Sequence, residues 1–260
     1  MSKKKNFALV SFAVGFAFLG AHLLSFWWQQ FAFWLSGFLL ALLVLGAVYF
    51  LFSSQLSSLP EILTVAILPC FLALSFSWFA PLLPESSFWR PILLLFFTTG
   101  YYLVLLTENL FVVSFRYKTV PLYRTAFVTG FALSLLVGFL LFSAIFSLKF
   151  AALINSFLTG GVGFLLFYHL FWSTIIAESE KKDIKIYALT AAVLIAQMGL
   201  VVSFWPLGST LAALYLVSWL YVLGGTFQAH LRGRLFAKTA REYVAIGISA
   251  FFALLLSGGR

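Results

Sequence analysis

Apolar residues run along this chain in long stretches, and polar residues gather in the short breaks between them. No Asp, Glu, Lys or Arg occurs from Asn6 to Pro60, from Phe150 to Ala177 or from Ile186 to Leu231. A helix needs about 20 residues, at a rise of about 1.5 Å each, to cross the hydrocarbon of a bilayer. The pattern predicts spans at Phe7–Phe26, Phe31–Phe52, Ile62–Phe79, Pro91–Ser114, Ala126–Ser147, Phe150–Ala177, Ile186–Phe204, Leu207–Phe227 and Tyr243–Ser257. Helices are favoured because the runs are continuous, whereas barrel strands alternate polar and apolar residues over about ten positions. The expected fold is all-α: a polytopic transmembrane helix bundle of nine spans, or eight if the short last segment lies in the interface. Residues 1–260 are expected to form a single integral membrane domain with no separate soluble domain.

Composition agrees, with 63% hydrophobic and 9% charged residues. A soluble domain carries about 25% charged residues and needs them to clothe its surface. The net charge of +9 is unevenly placed. With alternating spans, thirteen of the sixteen bases fall on one side: Lys3, Lys4, Lys5, Arg116, Lys118, Arg124, Lys181, Lys182, Lys185, Arg232, Arg234, Lys238 and Arg241. Only Arg90, Lys149 and Arg260 fall on the other. The positive-inside rule then predicts a plasma or inner membrane with a cytoplasmic N-terminus and an external C-terminus. Trp27, Trp28, Trp34, Trp78, Trp89 and Trp205 lie near the predicted outer boundary as interface anchors.

The same distribution limits the partners. The basic loops are too short for a nucleic-acid-binding module, so no nucleic acid is expected. Membrane lipids are expected instead. Arg116, Lys118, Arg124, Arg232, Arg234, Lys238 and Arg241 are candidate contacts for anionic headgroups, beside their topogenic role. Cys70, the single cysteine, excludes an intramolecular disulfide and a multi-cysteine metal site. The chain has no HExxH pair, Walker A loop, dinucleotide fingerprint or Gly-x-Ser-x-Gly elbow. No metal, cofactor or catalytic residue is expected, and an enzyme is not the favoured reading.

Glu108 is the one acid placed clearly inside a predicted span. A lipid-facing acid is costly, so Glu108 should face the bundle, a cavity or the interface. Thr98, Tyr101 and Glu108 share one face of the helix, and Tyr102 and Asn109 the next. His169 lies at a similar predicted depth and can donate a hydrogen bond to a carboxylate. Gln197, near the middle of span seven, is expected as another buried polar group, and Asn155 as an amide joining helices. Glu108, Asn109, His169 and Gln197 are therefore the candidates for substrate contact or proton coupling, set against a plain polar clamp between helices.

Small residues recur at four-residue spacing: Gly130, Ser134 and Gly138 on span five; Ala188, Ala192 and Ala196 on span seven; Ala245, Ser249, Ala253 and Ser257 on span nine. Such faces let helices approach closely, within one chain or against a membrane-protein partner. Gly160, Gly161 and Gly163 loosen span six, where tilt, a kink or a break exposing backbone carbonyls is expected. Two functional classes follow. One is a structural or accessory component of a membrane complex. The other is a carrier of a small solute or lipid with Glu108 as its proton- or cation-sensitive site.

Overall fold

The computed structural model describes residues 3–27, 29–56, 58–83, 88–117, 122–175 and 184–258, with the side chains at 3, 22–34, 115–117, 254, 257 and 258 outside the description. The chain is about 90% helical. Among the described residues there are nine α-helices and no strand: α1 Lys3–Trp27, α2 Gln29–Phe52, α3 Leu59–Phe79, α4 Trp89–Tyr117, α5 Tyr123–Ser147, α6 Ala152–Ile175, α7 Ile184–Ser203, α8 Ser209–Leu231 and α9 Ala237–Gly258. A single 3₁₀ turn, Ala80–Leu82, follows α3. Each predicted span coincides with a helix. Several helices run past the apolar stretch into polar residues, as at Lys3–Asn6, Gln228–His230 and Ala237–Glu242. Backbone groups at a span's end are still best paired within the helix, whatever the side chain.

Seven helices, α2 to α8, are long and apolar enough to cross a membrane. The described part of α1 and the whole of α9 fall outside that group. In α9 the turn bearing Lys238, Arg241 and Glu242 leaves sixteen apolar-rich residues, Tyr243–Gly258. They extend about 24 Å, short of the ~30 Å of hydrocarbon.

The chain divides into two compact units, residues 1–133 and 134–260, with α5 contributing its first part to one and its second part to the other. In the first unit α1 packs on α2 and α4, and α3 packs on α2 and α4. The ring closes on the aromatic cluster of Phe18, Phe76, Phe97 and Tyr101, with centroids 4.6 Å apart for Phe18–Phe97 and 5.5 Å for Phe76–Phe97. Gly37 brings α2 under the Trp78 indole of α3, where a Cβ would stand 2.6 Å from Nε1. The Gly130 end of α5's small-residue stripe meets Thr107 and Phe111 of α4.

In the second unit α6 and α7 make the closest pair, α8 packs on both, and α9 packs on α8. Gly160 faces Ala196, Gly163 faces Ile195, and Gly199 faces Thr159. Ser156 Oγ donates to the Ala196 carbonyl at 2.8 Å, and Asn155 Nδ2 to Ser203 Oγ at 3.4 Å. The span-seven stripe is thus a packing face, with Ala188 and Ala192 buried. The span-six glycines have the same cause: α6 is continuous from Ala152 to Ile175, so no break exposes its carbonyls. Gly160 and Gly163 admit α7, while Gly161 points into open space. Gly138 brings α5 against Leu166 and Leu220.

The span-nine stripe is a correction. Ala245, Ser249 and Ala253 are exposed, and α9 docks through another face. Tyr243 lies on Gly225 and 5.6 Å from the Tyr221 ring, while Gly247 rides over Trp219. Bulky rings of α8 select those positions, because aromatic burial outweighs a small-residue contact. The turn into α9 is a Schellman cap. Arg234 N–H donates to the Ala229 carbonyl and Gly233 N–H to the His230 carbonyl, with Gly233 at φ 64°. Only glycine adopts that conformation without a Cβ penalty.

Candidate functional site

The acid that sequence singles out sits in the core of the first unit. α4 buries one face along its length: Phe97, Tyr101, Val104, Leu105, Thr107, Glu108, Phe111, Val112 and Ser114 are all buried. Glu108 is 0% exposed, so its side chain faces neither lipid nor water. Tyr101 stands two turns earlier on the same face, equally buried, as the seven-residue spacing requires. Cys70 of α3 lies within electrostatic range of Tyr101, and its thiol reaches toward the Ala41 carbonyl of α2 at 3.5 Å. Thr107 and Ser114 turn their hydroxyls back to the carbonyls of Leu103 and Leu110, at 2.8 and 2.7 Å. Glu108 itself is engaged with its neighbours.

Helix register fixes its level. Gly15 abuts Thr98 and Phe18 stacks on Phe97, so residue numbers on α4 fall as those on α1 rise: the two helices run antiparallel. At one residue per ~1.5 Å, Glu108 is then about level with Lys5. Phe7 contacts Phe52, so α2 ends near that level too. Glu108 therefore belongs to the end of the unit that holds the N-terminus, nearer the bundle's rim than its middle.

Asn109 is half-buried on the adjoining face, and its Oδ1 is buried with no hydrogen-bond partner among the described residues. That face also carries Thr98 and Tyr102, which line a groove of about 510 Å³ between α1 and α4. Glu108 is not among the residues lining it. Sequence placed Thr98 and Tyr101 with Glu108, and Tyr102 with Asn109, on neighbouring faces. Tyr101 and Glu108 are turned inward together, but Thr98, eleven residues before Asn109, stands with Tyr102 along the groove side.

His169 lies in the second unit, 1% exposed on α6, its ring 6.2 Å from that of Trp172. It is also engaged with neighbours. At the next residue the Leu170 carbonyl accepts from Gln228 Nε2 of α8 at 3.3 Å and from the Ser173 and Thr174 hydroxyls at 2.8 Å. The predicted span eight stopped at Phe227, one residue short of this interhelical amide; its eight-residue spacing from Leu220 was the available sign.

Gln197 is the clear correction. It is exposed, not buried. α7 turns Ile195 and Gly199 toward α6, and a residue two positions from each points about 200° away around the helix. Of the basic candidates, Arg124, Arg234, Lys238 and Arg241 are exposed and Arg232 is half-buried, while the Arg116 side chain and all of Lys118 lie outside the described residues. Among the described residues no three His, Cys, Asp or Glu side chains cluster as metal ligands would.

Seven apolar helices in an all-α bundle define a class compatible with an integral, multi-pass membrane protein. Within that class the chain belongs to the DUF5656 family, described as a protein of unknown function, whose model matches residues 14–257. No curated protein matches the chain, and no solved structure does.

Proposed function

We propose that the protein is a structural or accessory component of a membrane complex, and that a partner's membrane helix docks on the outward face of α7. One observation carries this reading. Gln197 is exposed within an apolar span, with Val193 and Val201 exposed one turn to either side. An amide left unpaired in hydrocarbon costs several kcal/mol, so a neighbouring helix that supplies a polar group gains by covering it. The exposed Ala245, Ser249 and Ala253 of α9 add a second face on which a helix can approach closely. The test is copurification from native membranes after crosslinking. Wild-type protein and Gln197→Asn should retain a specific membrane-protein companion, and Gln197→Leu should lose most of it while folding normally. Solitary wild-type protein, together with substrate-dependent flux, would sink the accessory reading.

A carrier of a small solute or lipid is the second reading, favoured by the complete burial of Glu108 within α4. Ionisable groups inside spans often mark a transport path. Glu108, Asn109 and His169 remain its candidates, whereas Gln197 faces the wrong way to line an interior path.

Orientation belongs to the same proposal. With a cytoplasmic N-terminus in a plasma or inner membrane, cysteines placed in the loops 116–124, 181–185 and 232–241, after Cys70 is replaced, should resist an impermeant external reagent. Strong external labelling in two of these loops would reverse the topology. A tag after Arg260 should be external if α9 spans and internal if it lies in the interface.

A further inference from the structure

The groove between α1 and α4 has a form that its apolar setting does not by itself require. Its α1 wall is Ala8, Ser11, Phe12, Gly15 and Phe16; its α4 wall runs from Pro91 to Tyr102. Phe12, Phe16 and Leu95 are 60–68% exposed, so the groove opens on the outer surface of the first unit, and among the described residues the hydroxyls of Ser11, Thr98, Thr99 and Tyr102 are its only polar side chains. Ala8 to Phe16 measures about 12 Å and Pro91 to Tyr102 about 16 Å along their helices, close to the ~15 Å depth of one leaflet's hydrocarbon.

One end is charged. Lys4 and Lys5 are exposed, and stand four and three residues before Ala8. That spacing puts both on the helix face that lines the groove, one turn beyond its end. An apolar channel of leaflet depth with two cations at its mouth matches a lipid whose headgroup is negative, since each lysine near an anionic surface adds to the attraction.

We propose that this groove holds one acyl chain of an anionic phospholipid, its phosphate resting against Lys4 and Lys5. The site is separate from Glu108 and from the α7 face, and it stands whichever functional reading is correct. Phe12 and Phe16 flank the chain, and the pairing of Gly15 with Thr98 sets the spacing of the walls.

The test uses the full chain in liposomes containing phosphatidylglycerol or phosphatidylcholine with a photoactivatable group on the acyl chain. Labelled peptides are then mapped. Phosphatidylglycerol should label residues 8–16 and 91–102 about thirtyfold more than phosphatidylcholine does, the preference that two lysines at an anionic surface supply. Lys4→Gln with Lys5→Gln should bring the two lipids level, and Lys4→Arg with Lys5→Arg should keep the preference. Thr99→Phe, an exposed position on the groove, should cut labelling there by either lipid without changing the melting temperature. Equal labelling by both lipids, label spread evenly over the apolar surface, or a preference unchanged in the Gln variant would each overturn the proposal.

Discussion

Gly163→Leu should leave almost no folded protein in detergent, read as loss of the monodisperse peak in size-exclusion chromatography. A Cβ at Gly163 would already stand 2.6 Å from Ile195 Cγ2, so the Ile195 side chain or the helix that carries it must shift before even alanine fits. Overpacking of that kind costs about 1–3 kcal/mol for a small addition and more for a large one. Better helix propensity returns at most about 1 kcal/mol. Overlap therefore wins for alanine and dominates for leucine. Separation would also break the Ser156–Ala196 and Asn155–Ser203 bonds, which need the same close approach. Gly161→Ala is the control. It meets nothing within 4 Å and gains propensity without overlap, so its stability should match or slightly exceed wild type. If Gly161→Ala and Gly163→Leu behave alike, close packing is not what those glycines are for.

Substitution of Glu108 should separate structure from transport. Glu108→Ala removes a fully buried side chain and leaves the groups around it unsatisfied, which costs about 1–3 kcal/mol beyond the lost packing. Its melting temperature should fall well below that of Glu108→Gln, which keeps the size and the hydrogen-bonding capacity. On the accessory reading Glu108→Gln folds, keeps its companion and leaves proton leak in vesicles unchanged. On the carrier reading the same variant loses flux or its proton coupling across the pH range. A double-mutant cycle with His169 asks whether the two groups act together: independent effects on stability and flux would reject a functional pair.

Much of the fold was legible because the hydrocarbon permits few choices. Charge-free runs such as Ile186–Leu231 had to be helices, and the Trp205–Pro206 break had to fall between two of them. That Ala188, Ala192 and Ala196 share a close-packing face was legible from spacing as well, though not that Ala192 and Ala196 meet Gly160 of α6. The same spacing misled at Ala245, Ser249 and Ala253, because periodicity says which residues share a face and not which way that face turns. Only the neighbours decide, and on α9 the decision belonged to Tyr221, Gly225 and Trp219 of α8. Gln197 failed for a related reason. Its polarity suggested burial, but Ile195 and Gly199 had claimed the inward side. Glu108 and Tyr101 were correctly placed together by their seven-residue spacing. The distance of Glu108 from the end of span four at Ser114 already put it near one rim, and the register between α1 and α4 adds that its level is about that of Lys5.

A photo-crosslinking scan along α7 in native membranes tests the proposed docking face most directly. A photoreactive residue at Val193, Gln197 or Val201 should trap one specific membrane protein, and the same probe at Leu189 should trap it less with distance from the amide. A probe at Ile195, turned toward α6, should trap none. Capture only of lipid at Gln197, with no protein adduct at any of the outward positions, would contradict the accessory role and leave the carrier reading to account for this chain.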